Sequence, residues 1–205
     1  AEPVVFEDVR VGFGGEDSFQ IGAWTPIWVQ LKGGGAPFRG FLDVVIGDDD
    51  GSPATVRQAI DLPAGETRTY VAYSRMGGRD SSFSIEVRDE SGRRLASRSR
   101  DQVARTTPTP ITPDDSWILT VGRPQGVDMV REVAGFKRSD GRASELFVTA
   151  LDASSERLPG RWMGYDGARA VVLDTADPST MEMLAGPRDQ ALVEWAKRGG
   201  HLVVG

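Results

Sequence analysis

The sequence predicts two domains, an all-β sandwich followed by a partial three-layer α/β domain. In the first half, apolar residues recur with a period close to two, and no helical period separates the segments. In the second half, continuously apolar segments alternate with segments of helical spacing, which is typical of a parallel sheet covered on both faces. Prolines at 108, 110 and 113 enforce an extended backbone between the halves. We therefore predict a sandwich at residues 1–105, a Pro/Thr-rich linker at 106–115 and an α/β domain at 116–205.

Seven short strands, separated by turns rich in glycine and proline, predict the sandwich. The first, Val5–Val11, is expected to turn its three valines to one face. In the second, Ala23–Leu31, the early Pro26 indicates that the strand begins at a sheet edge or a bulge. The other strands are predicted at Phe38–Ile46, Thr55–Leu62, Thr67–Tyr73, Ser82–Asp89 and Arg94–Arg100. Strands of this number and length favour an immunoglobulin-like sandwich.

Four strands and three helices in alternation predict the α/β domain. The strands are predicted at Trp117–Gly122, Glu145–Leu151, Arg169–Asp174 and Leu202–Val204. The helices are predicted at Gly126–Phe136, from Asp177 onward and at Arg188–Arg198, and Leu158–Tyr165 is predicted as a loop. Asp177 is the expected N-cap of the middle helix, with Pro178 at its first helical position. Gly199 is expected to end the last helix.

The composition excludes several classes of function. With 39% hydrophobic and 26% charged residues the chain is typical of a globular protein, and no apolar stretch is long enough for a membrane helix. The absence of cysteine excludes disulfides, thiolate metal sites and a cysteine nucleophile within this chain. The nearest approach to a basic nucleic-acid-binding stripe consists of Arg93, Arg94, Arg98, Arg100 and Arg105. Acidic residues interrupt that stripe and the net charge is −6, so we predict no binding to nucleic acid.

Four segments of the second half carry a resemblance to a known family. They are Trp117–Gly122, Leu158–Asp166, Val171–Asp174 and Gln190–Gly205. These segments resemble the class I glutamine amidotransferase-like superfamily, which implies a flavodoxin-like fold over residues 117–205. The last segment is similar to the helix and strand that lead toward the active-site elbow in that superfamily.

The first half adds a second resemblance, carried by Val11–Gly15, Trp24–Pro26 and Asp48–Gly51. The two halves together resemble bacterial membrane-anchored, exported proteins of unassigned function. This resemblance implies an extracytoplasmic location, in the periplasm or the cell envelope. The start at Ala1 is compatible with a mature exported protein and equally with a trimmed chain.

The sequence departs from the amidotransferase pattern in its catalytic residues. The superfamily places a nucleophilic cysteine on an elbow after such a strand, with histidine and glutamate later in the chain. Here there is no cysteine, and the single histidine, His201, is expected at the amino end of the last strand. Ligands of open α/β sheets bind at the carboxyl ends of the strands, so His201 is expected at the wrong edge. We expect a truncated α/β domain that has no complete catalytic site and implies no cofactor.

Five residues lie at the edge of the predicted parallel sheet where ligands are expected. Gly122 and Arg123 follow its first strand, and Asp174, Thr175 and Asp177 follow the third, where they are candidates to bind a polar ligand, an anion or a metal. The alternative, which we favour, is structural. Asp177 would cap a helix, Asp174 would accept hydrogen bonds from loop amides, and Arg123 would be solvated.

Two further candidate sites belong to the predicted sandwich. Asp48, Asp49 and Asp50 have the carboxylate density that Ca²⁺ prefers, although an Asp-Gly pair between strands is first of all a turn signal. Trp24 and Trp28 have the same parity on one strand and are candidates for a carbohydrate-stacking face. We favour core packing for both tryptophans because their indoles bury a large apolar area.

Three functions are compatible with these features. The first is a non-catalytic, extracytoplasmic interaction or scaffold module. Its partner would be an unknown protein or the remainder of a parent chain, and it would meet the membrane only through segments outside this chain. The second is a fragment of an amidotransferase-like hydrolase whose nucleophile lies beyond Gly205. The third is a calcium- or carbohydrate-binding sandwich.

Overall fold

The protein is mostly β, with antiparallel sheets in the first half and a parallel sheet in the second. The structure is a computed structural model that describes residues 2–47, 53–78, 83–99, 102, 108–132, 145–151 and 157–205. Its strands follow the alternation of apolar residues in the first half and the continuous apolar runs in the second.

Two antiparallel sheets form the first half. One contains β1 (Val4–Val11), β3 (Trp24–Gly33) and β6 (Thr67–Arg75), in the order β1-β3-β6. The other contains β4 (Phe38–Gly47), β5 (Pro53–Leu62), β7 (Phe83–Asp89) and β8 (Arg94–Ser99), in the order β5-β4-β7-β8. Buried side chains of both sheets, including Val29, Leu42 and Ile85, belong to one apolar cluster. The two sheets therefore share a single core.

The prediction that the three valines of β1 share one face is wrong at Val5. The register between β1 and β3 shifts between Phe6 and Asp8, as in a β-bulge. Val9 and Val11 are buried beyond the bulge, but before it the buried valine is Val4, and Val5 is 38% exposed. A bulge adds one residue to a strand and so reverses the side-chain parity, which an alternating pattern alone does not reveal.

The predicted linker is extended but packed along the part that the structure describes, residues 108–115. Pro110–Ile111 form β9, which pairs in parallel with β2 (Phe19–Gln20) from the first half. The Phe19 amide donates to the Thr109 carbonyl at 3.1 Å, and the Ile21 amide donates to the Ile111 carbonyl at 2.9 Å. Ile111 is buried in the core of the second half, so this segment ties the two halves together.

A four-stranded parallel sheet forms the second half. It contains β10 (Ser116–Val121), β11 (Leu146–Leu151), β12 (Ala170–Leu173) and β13 (His201–Val204), in the order β11-β10-β12-β13. Helices α1 (Pro178–Leu184) and α2 (Pro187–Lys197) follow β12, and 3₁₀ helices span Val127–Glu132 and Trp162–Tyr165. The α-helix predicted at Gly126–Phe136 is thus a 3₁₀ helix as far as residue 132, and 133–136 lie outside the described residues. The predicted loop at Leu158–Tyr165 contains the second 3₁₀ helix.

The predicted start of α1 and the predicted glycine after α2 are confirmed, although α2 spans Pro187–Lys197 and not Arg188–Arg198. Asp177 caps α1, with Pro178 at its start, and Gly199 follows α2 with a φ of +105°. A side chain at the next residue, Gly200, would place its Cβ 2.3 Å from the indole of Trp195, so the turn after α2 closes directly over the tryptophan. Glycine at both positions therefore allows α2 to return to β13.

The outer face of the second antiparallel sheet carries an ion-pair network that the sequence patterns do not predict. Asp43, at the centre of β4, is 2% exposed and accepts hydrogen bonds from Arg57 Nε and Nη2, both at 2.7 Å. Arg88 lies beside both acids of the face, with Nε 3.1 Å from Asp43 Oδ2 and Nη2 2.5 Å from Glu86 Oε2. Arg94 forms a second ion pair with Glu86, with its Nη1 3.1 Å from Glu86 Oε1. Asp43 and Glu86 are directly opposite each other on β4 and β7, so the arginines neutralise two adjacent like charges.

We expect Asp43→Asn to lower the free energy of unfolding by about 1–3 kcal/mol, because the substitution removes the negative charge and one of the two buried oxygens that accept from Arg57. Urea unfolding followed by circular dichroism measures the change. Asp61→Asn is the matched control, since Asp61 is exposed and lies 3.4 Å from the exposed Arg39. The control should change stability by less than about 0.5 kcal/mol. Equal effects of the two substitutions would contradict a special role for Asp43.

Candidate functional site

The carboxyl ends of β10 and β12 bring the sequence-predicted site residues to one edge of the parallel sheet. The two strands are neighbours, with Val121 opposite Leu173 in register. Gly122 and Arg123 leave one strand where Asp174 and Thr175 leave the other. β10 has β11 on one side and β12 on the other, so the chain connections diverge here, at the position where open α/β sheets bind their ligands.

The polar groups at this edge are engaged with one another. Asp174 accepts hydrogen bonds from the Arg123 amide at 3.3 Å and from the Ala176 amide at 3.1 Å. Thr175 donates to the Gly205 carbonyl from its amide at 2.8 Å and from its hydroxyl at 2.7 Å. The structural alternative for Asp174 is therefore confirmed, and a ligand-binding role for these residues stays a prediction.

Asp177 also serves the backbone in the way that the structural alternative predicts. Its Oδ1 accepts from the Ser179 amide at 3.0 Å, and its Oδ2 accepts from the Ser179 hydroxyl at 2.8 Å. These hydrogen bonds favour the charged carboxylate and hold the pKa of Asp177 below its ordinary value. The cap places α1 directly over the edge of the sheet.

Thr180 is the residue of this edge that sequence reasoning missed. It is fully buried in the first turn of α1, and its hydroxyl has no hydrogen-bond partner among the described residues. A Cβ at Gly122, where φ is +79°, would lie 2.5 Å from Thr180 Oγ1 and 2.9 Å from Asp174 Cβ. The end of β10 therefore approaches α1 and the end of β12 most closely at Gly122, where a side chain would not fit. The spacing of Thr180 from the N-cap was visible in the sequence, but nothing there indicated its burial against Gly122.

A second site lies at the junction of the two halves and joins residues about 140 positions apart. It is a cavity of about 240 Å³ lined by Arg10, Phe13, Gly14, Gly15, Ala150, Leu151 and Arg157. Ala150 and Leu151 end β11, so the cavity opens at the same carboxyl edge of the parallel sheet. Its opposite wall comes from the turn that follows β1. No sequence motif predicted this cavity, because it depends on how the halves pack.

Arg10 is held in place at this cavity. Its Nε lies 2.5 Å from Asp17 Oδ1, and its Nη2 donates to the carbonyls of Gly14 at 3.1 Å and Gly15 at 3.2 Å. Asp17 is 1% exposed and has a φ of +51°, and its Oδ2 has no hydrogen-bond partner among the described residues. Burial raises the pKa of Asp17 above its ordinary value despite the adjacent guanidinium.

The other candidate residues fall into different places. Asp48, Asp49 and Asp50 lie outside the described residues. His201 is exposed at the first position of β13, at the amino edge of the parallel sheet, as predicted. Within the described ranges, no group of three or more histidine, aspartate or glutamate side chains is placed to hold a metal ion.

The tryptophans mainly serve packing. Trp28, Trp117 and Trp195 are buried, and Trp28 Nε1 donates to the Gly12 carbonyl at 3.3 Å. Trp24 and Trp162 are half-buried, and the guanidinium of an arginine covers each ring, at 5.6 Å and 4.3 Å from the centroid. Because Trp28 is buried, it does not share an exposed stacking face with Trp24.

The described arginines of the basic stripe are each engaged. Arg93 pairs with Asp89 at 3.1 Å, Arg94 pairs with Glu86, and Arg98 lies over the ring of Phe6. The stripe is therefore divided among separate local contacts. In the described part of the chain, no helix combines the length and the apolar character that crossing a membrane requires.

Comparison with known proteins finds one family model that matches part of the first half. Residues 7–102, just under half of the chain, match a domain of unknown function, DUF8726. A search of curated proteins finds no matching sequence.

The solved structures that match do so at low similarity. The alkylpurine DNA glycosylase AlkC of Pseudomonas fluorescens is 17% identical with a TM-score of 0.33, over 48% of this chain and 30% of that chain. A Niemann-Pick type C2 protein from Japanese carpenter ant is 9% identical with a TM-score of 0.33, over 48% and 90%. β-Glucuronidase 2 of Bacteroides uniformis is 12% identical with a TM-score of 0.34, over 98% and 23%. The chain thus spans less than a third of the length of the glycosylase and of the glucuronidase that it matches.

The raised pKa of Asp17 predicts a stability that depends on pH. A carboxyl with a raised pKa in the folded state stabilises the fold fully below its unfolded pKa and loses this contribution as pH rises through the folded value. An asparagine side chain at this position would keep an oxygen for Arg10, would tolerate a positive φ and would not titrate. We therefore expect the stability of Asp17→Asn relative to the wild type to increase as pH rises above 3.8, measured by urea unfolding across the acid range.

Asp89→Asn is the control of opposite sign. The Ser91 hydroxyl and neighbouring groups lower the pKa of the half-buried Asp89, so its contribution is present above the ordinary pKa and is lost as pH falls. The stability of Asp89→Asn relative to the wild type should therefore decrease as pH rises. Parallel slopes for the two variants would show that the assignment of Asp17 is wrong.

Proposed function

We propose that the protein is a non-catalytic interaction or scaffold module in which an immunoglobulin-like sandwich rigidly positions a partial flavodoxin-like, glutamine amidotransferase-like domain. The extracytoplasmic location, in a membrane-anchored bacterial protein, is part of this proposal and rests on the resemblance of the sequence to exported proteins. The partner is an unknown protein or the remainder of a parent chain.

The topology of the first half supports an immunoglobulin-like sandwich. The seven main strands divide into sheets of three and four, and the connections from β3 to β4, from β5 to β6 and from β6 to β7 cross between the sheets. Such crossings between two antiparallel sheets are the mark of Greek-key sandwiches, the class that includes the immunoglobulin fold.

The topology of the second half supports a flavodoxin-like domain. Numbered within this half, the strands follow the order 2-1-3-4, and all of their pairings are parallel. The flavodoxin-like order is 2-1-3-4-5, with the ligand crevice between strands 1 and 3. Those two strands correspond to β10 and β12 here.

The packing at the junction is the observation that carries the proposal. Phe13, from the turn after β1, belongs to the core of the second half, with its ring 5.7 Å from that of Trp117 and 6.3 Å from that of Tyr165. The Trp24 amide donates to Asp166 Oδ2 at 3.1 Å. A Cβ at Gly164 would lie 2.9 Å from the ring of Tyr73. Contacts this close favour a fixed arrangement of the two halves over a flexible tether.

The engagement of the carboxyl-edge side chains supports a non-catalytic role. The carboxylates of Asp174 and Asp177 accept internal hydrogen bonds, and the Thr175 hydroxyl donates one. A general base or nucleophile needs a side chain that can reach a substrate proton or carbon. The polar atoms of these three residues instead hold β12, β13 and α1 together.

Phe13→Ala tests the rigid joint. Removing a buried aromatic ring costs about 3–5 kcal/mol, and here the loss falls on the contact between the halves. We expect the variant to unfold in two separate transitions, with tryptophan fluorescence and far-ultraviolet circular dichroism giving different midpoints, whereas the wild type unfolds in one. Phe41→Ala, on the outer face of the sandwich, is the control and should keep a single transition. Two transitions in the wild type would contradict the proposal.

An activity assay tests the non-catalytic role. We expect the purified chain to release no ammonia from glutamine and no nitrophenolate from p-nitrophenyl acetate above the blank. In the producing bacterium, we expect the protein to sediment with membranes and to become accessible to protease in spheroplasts. Turnover that Asp174→Asn or Thr180→Val abolishes would overturn the non-catalytic role, and protection in spheroplasts would overturn the location.

The strand order gives specific support to one alternative, an amidotransferase-like hydrolase whose nucleophile lies beyond Gly205. β10 and β12 are neighbours in the sheet, and the buried hydroxyl of Thr180 at this edge has no hydrogen-bond partner among the described residues. The parent protein, assayed with the same two substrates, distinguishes this alternative. Activity of the parent that requires a cysteine or serine beyond Gly205 would favour it.

A further inference from the structure

We infer that the junction cavity is a binding site for a small organic monocarboxylate with a compact apolar body. This inference is independent of the proposed scaffold function. It rests on the shape, the charge and the rigidity of the cavity, each of which points to the same class of ligand.

The size of the cavity selects a compact ligand. Its volume is about 240 Å³. Sites for drug-sized molecules begin at about 300 Å³. Phe13, Ala150 and Leu151 give the cavity an apolar wall, which suits a short aliphatic or a single aromatic group.

The charges of the cavity select a monoanion. Two arginines line it, Arg10 and Arg157. Arg10 is already neutralised by Asp17 at 2.5 Å, whereas the Nη2 of Arg157 lies 3.7 Å from Asp8 Oδ2 in a partly exposed pair. Such a pair contributes little, so a ligand carboxylate that displaces Asp8 from Arg157 loses little by doing so. A dianion such as phosphate is disfavoured, because both aspartates remain nearby.

Internal contacts hold the wall of the cavity that contains Arg10 and Gly14. Arg10 is held by one carboxylate and two carbonyls, and Gly14 has a φ of +74° with its Cβ position 2.6 Å from Thr149 Cγ2. Thr149 in turn accepts a hydrogen bond from Trp117 Nε1 at 3.0 Å. A site that is already formed loses less entropy on binding than one that must become ordered. Arg157 then supplies the bidentate guanidinium that matches a carboxylate.

Isothermal titration calorimetry of the full chain tests this site with isobutyrate and benzoate as probes. Isobutyramide and benzamide serve as neutral probes of the same shape, and inorganic phosphate serves as the dianion. We expect saturable 1:1 binding of at least one carboxylate and at least tenfold weaker binding of the matching amide, because a charged hydrogen bond is lost. No saturable binding of either carboxylate, or equal binding of acid and amide, would overturn the proposal. Tighter binding of phosphate than of both carboxylates would also overturn it.

Two variants place the binding in the cavity. Arg157→Gln removes the charge, and Ala150→Phe fills the space from an exposed position, so each should weaken carboxylate binding at least tenfold without changing the thermal unfolding midpoint. Arg39→Gln is the matched control, since Arg39 also forms an exposed ion pair, 3.4 Å from Asp61. Carboxylate binding that survives both cavity variants, or that falls equally in the control, would show that the site lies elsewhere.

Discussion

The insertion of the turn after β1 into the second half is the contact on which the remaining arrangement depends. The turn contributes the ring of Phe13, which packs against aromatic side chains in the core of the second half. It also contributes Gly14, which lies so close to β11 that a side chain would not fit there. The same turn carries Gly15 and is tied to Arg10, so it also forms one wall of the junction cavity. This insertion therefore contributes both to the core of the second half and to one wall of the cavity.

The buried carboxylates of Asp43 and Asp17 are compensated to different degrees. Asp43 lies under arginine side chains that satisfy both of its oxygens, so its burial is compensated. Asp17 receives one such contact, and its other oxygen has no hydrogen-bond partner among the described residues, so burial raises the pKa of Asp17. A compensated charge stabilises a sheet face, whereas an incompletely compensated charge beside a cavity is a feature more often found near binding sites.

The sequence predicted the elements better than their relationships. Alternation and apolar runs located the strands of both halves to within a few residues, and Asp177, Pro178 and Gly199 fixed helix ends because capping is local chemistry. The exposure of Val5 was not predictable, since a bulge depends on the partner strand. Neither the junction cavity nor the burial of Thr180 was predictable, because each joins residues far apart in sequence. The parallel strand order explains why the five predicted site residues lie at one edge of the sheet. The sequence did not predict all of the hydrogen bonds that they form within the protein.

The two candidate sites differ in what their polar atoms are free to do. At the carboxyl edge, Asp174, Thr175 and Asp177 hold the backbone together, so a ligand there would have to replace hydrogen bonds on which the fold depends. At the junction, Arg157 gives up only a long, partly exposed pair with Asp8. Binding at the junction therefore costs less structure than binding at the edge, even though the edge is where the fold class alone would place a ligand. The packing of one half against the other, which no strand pattern encodes, thus decides which site is free to bind.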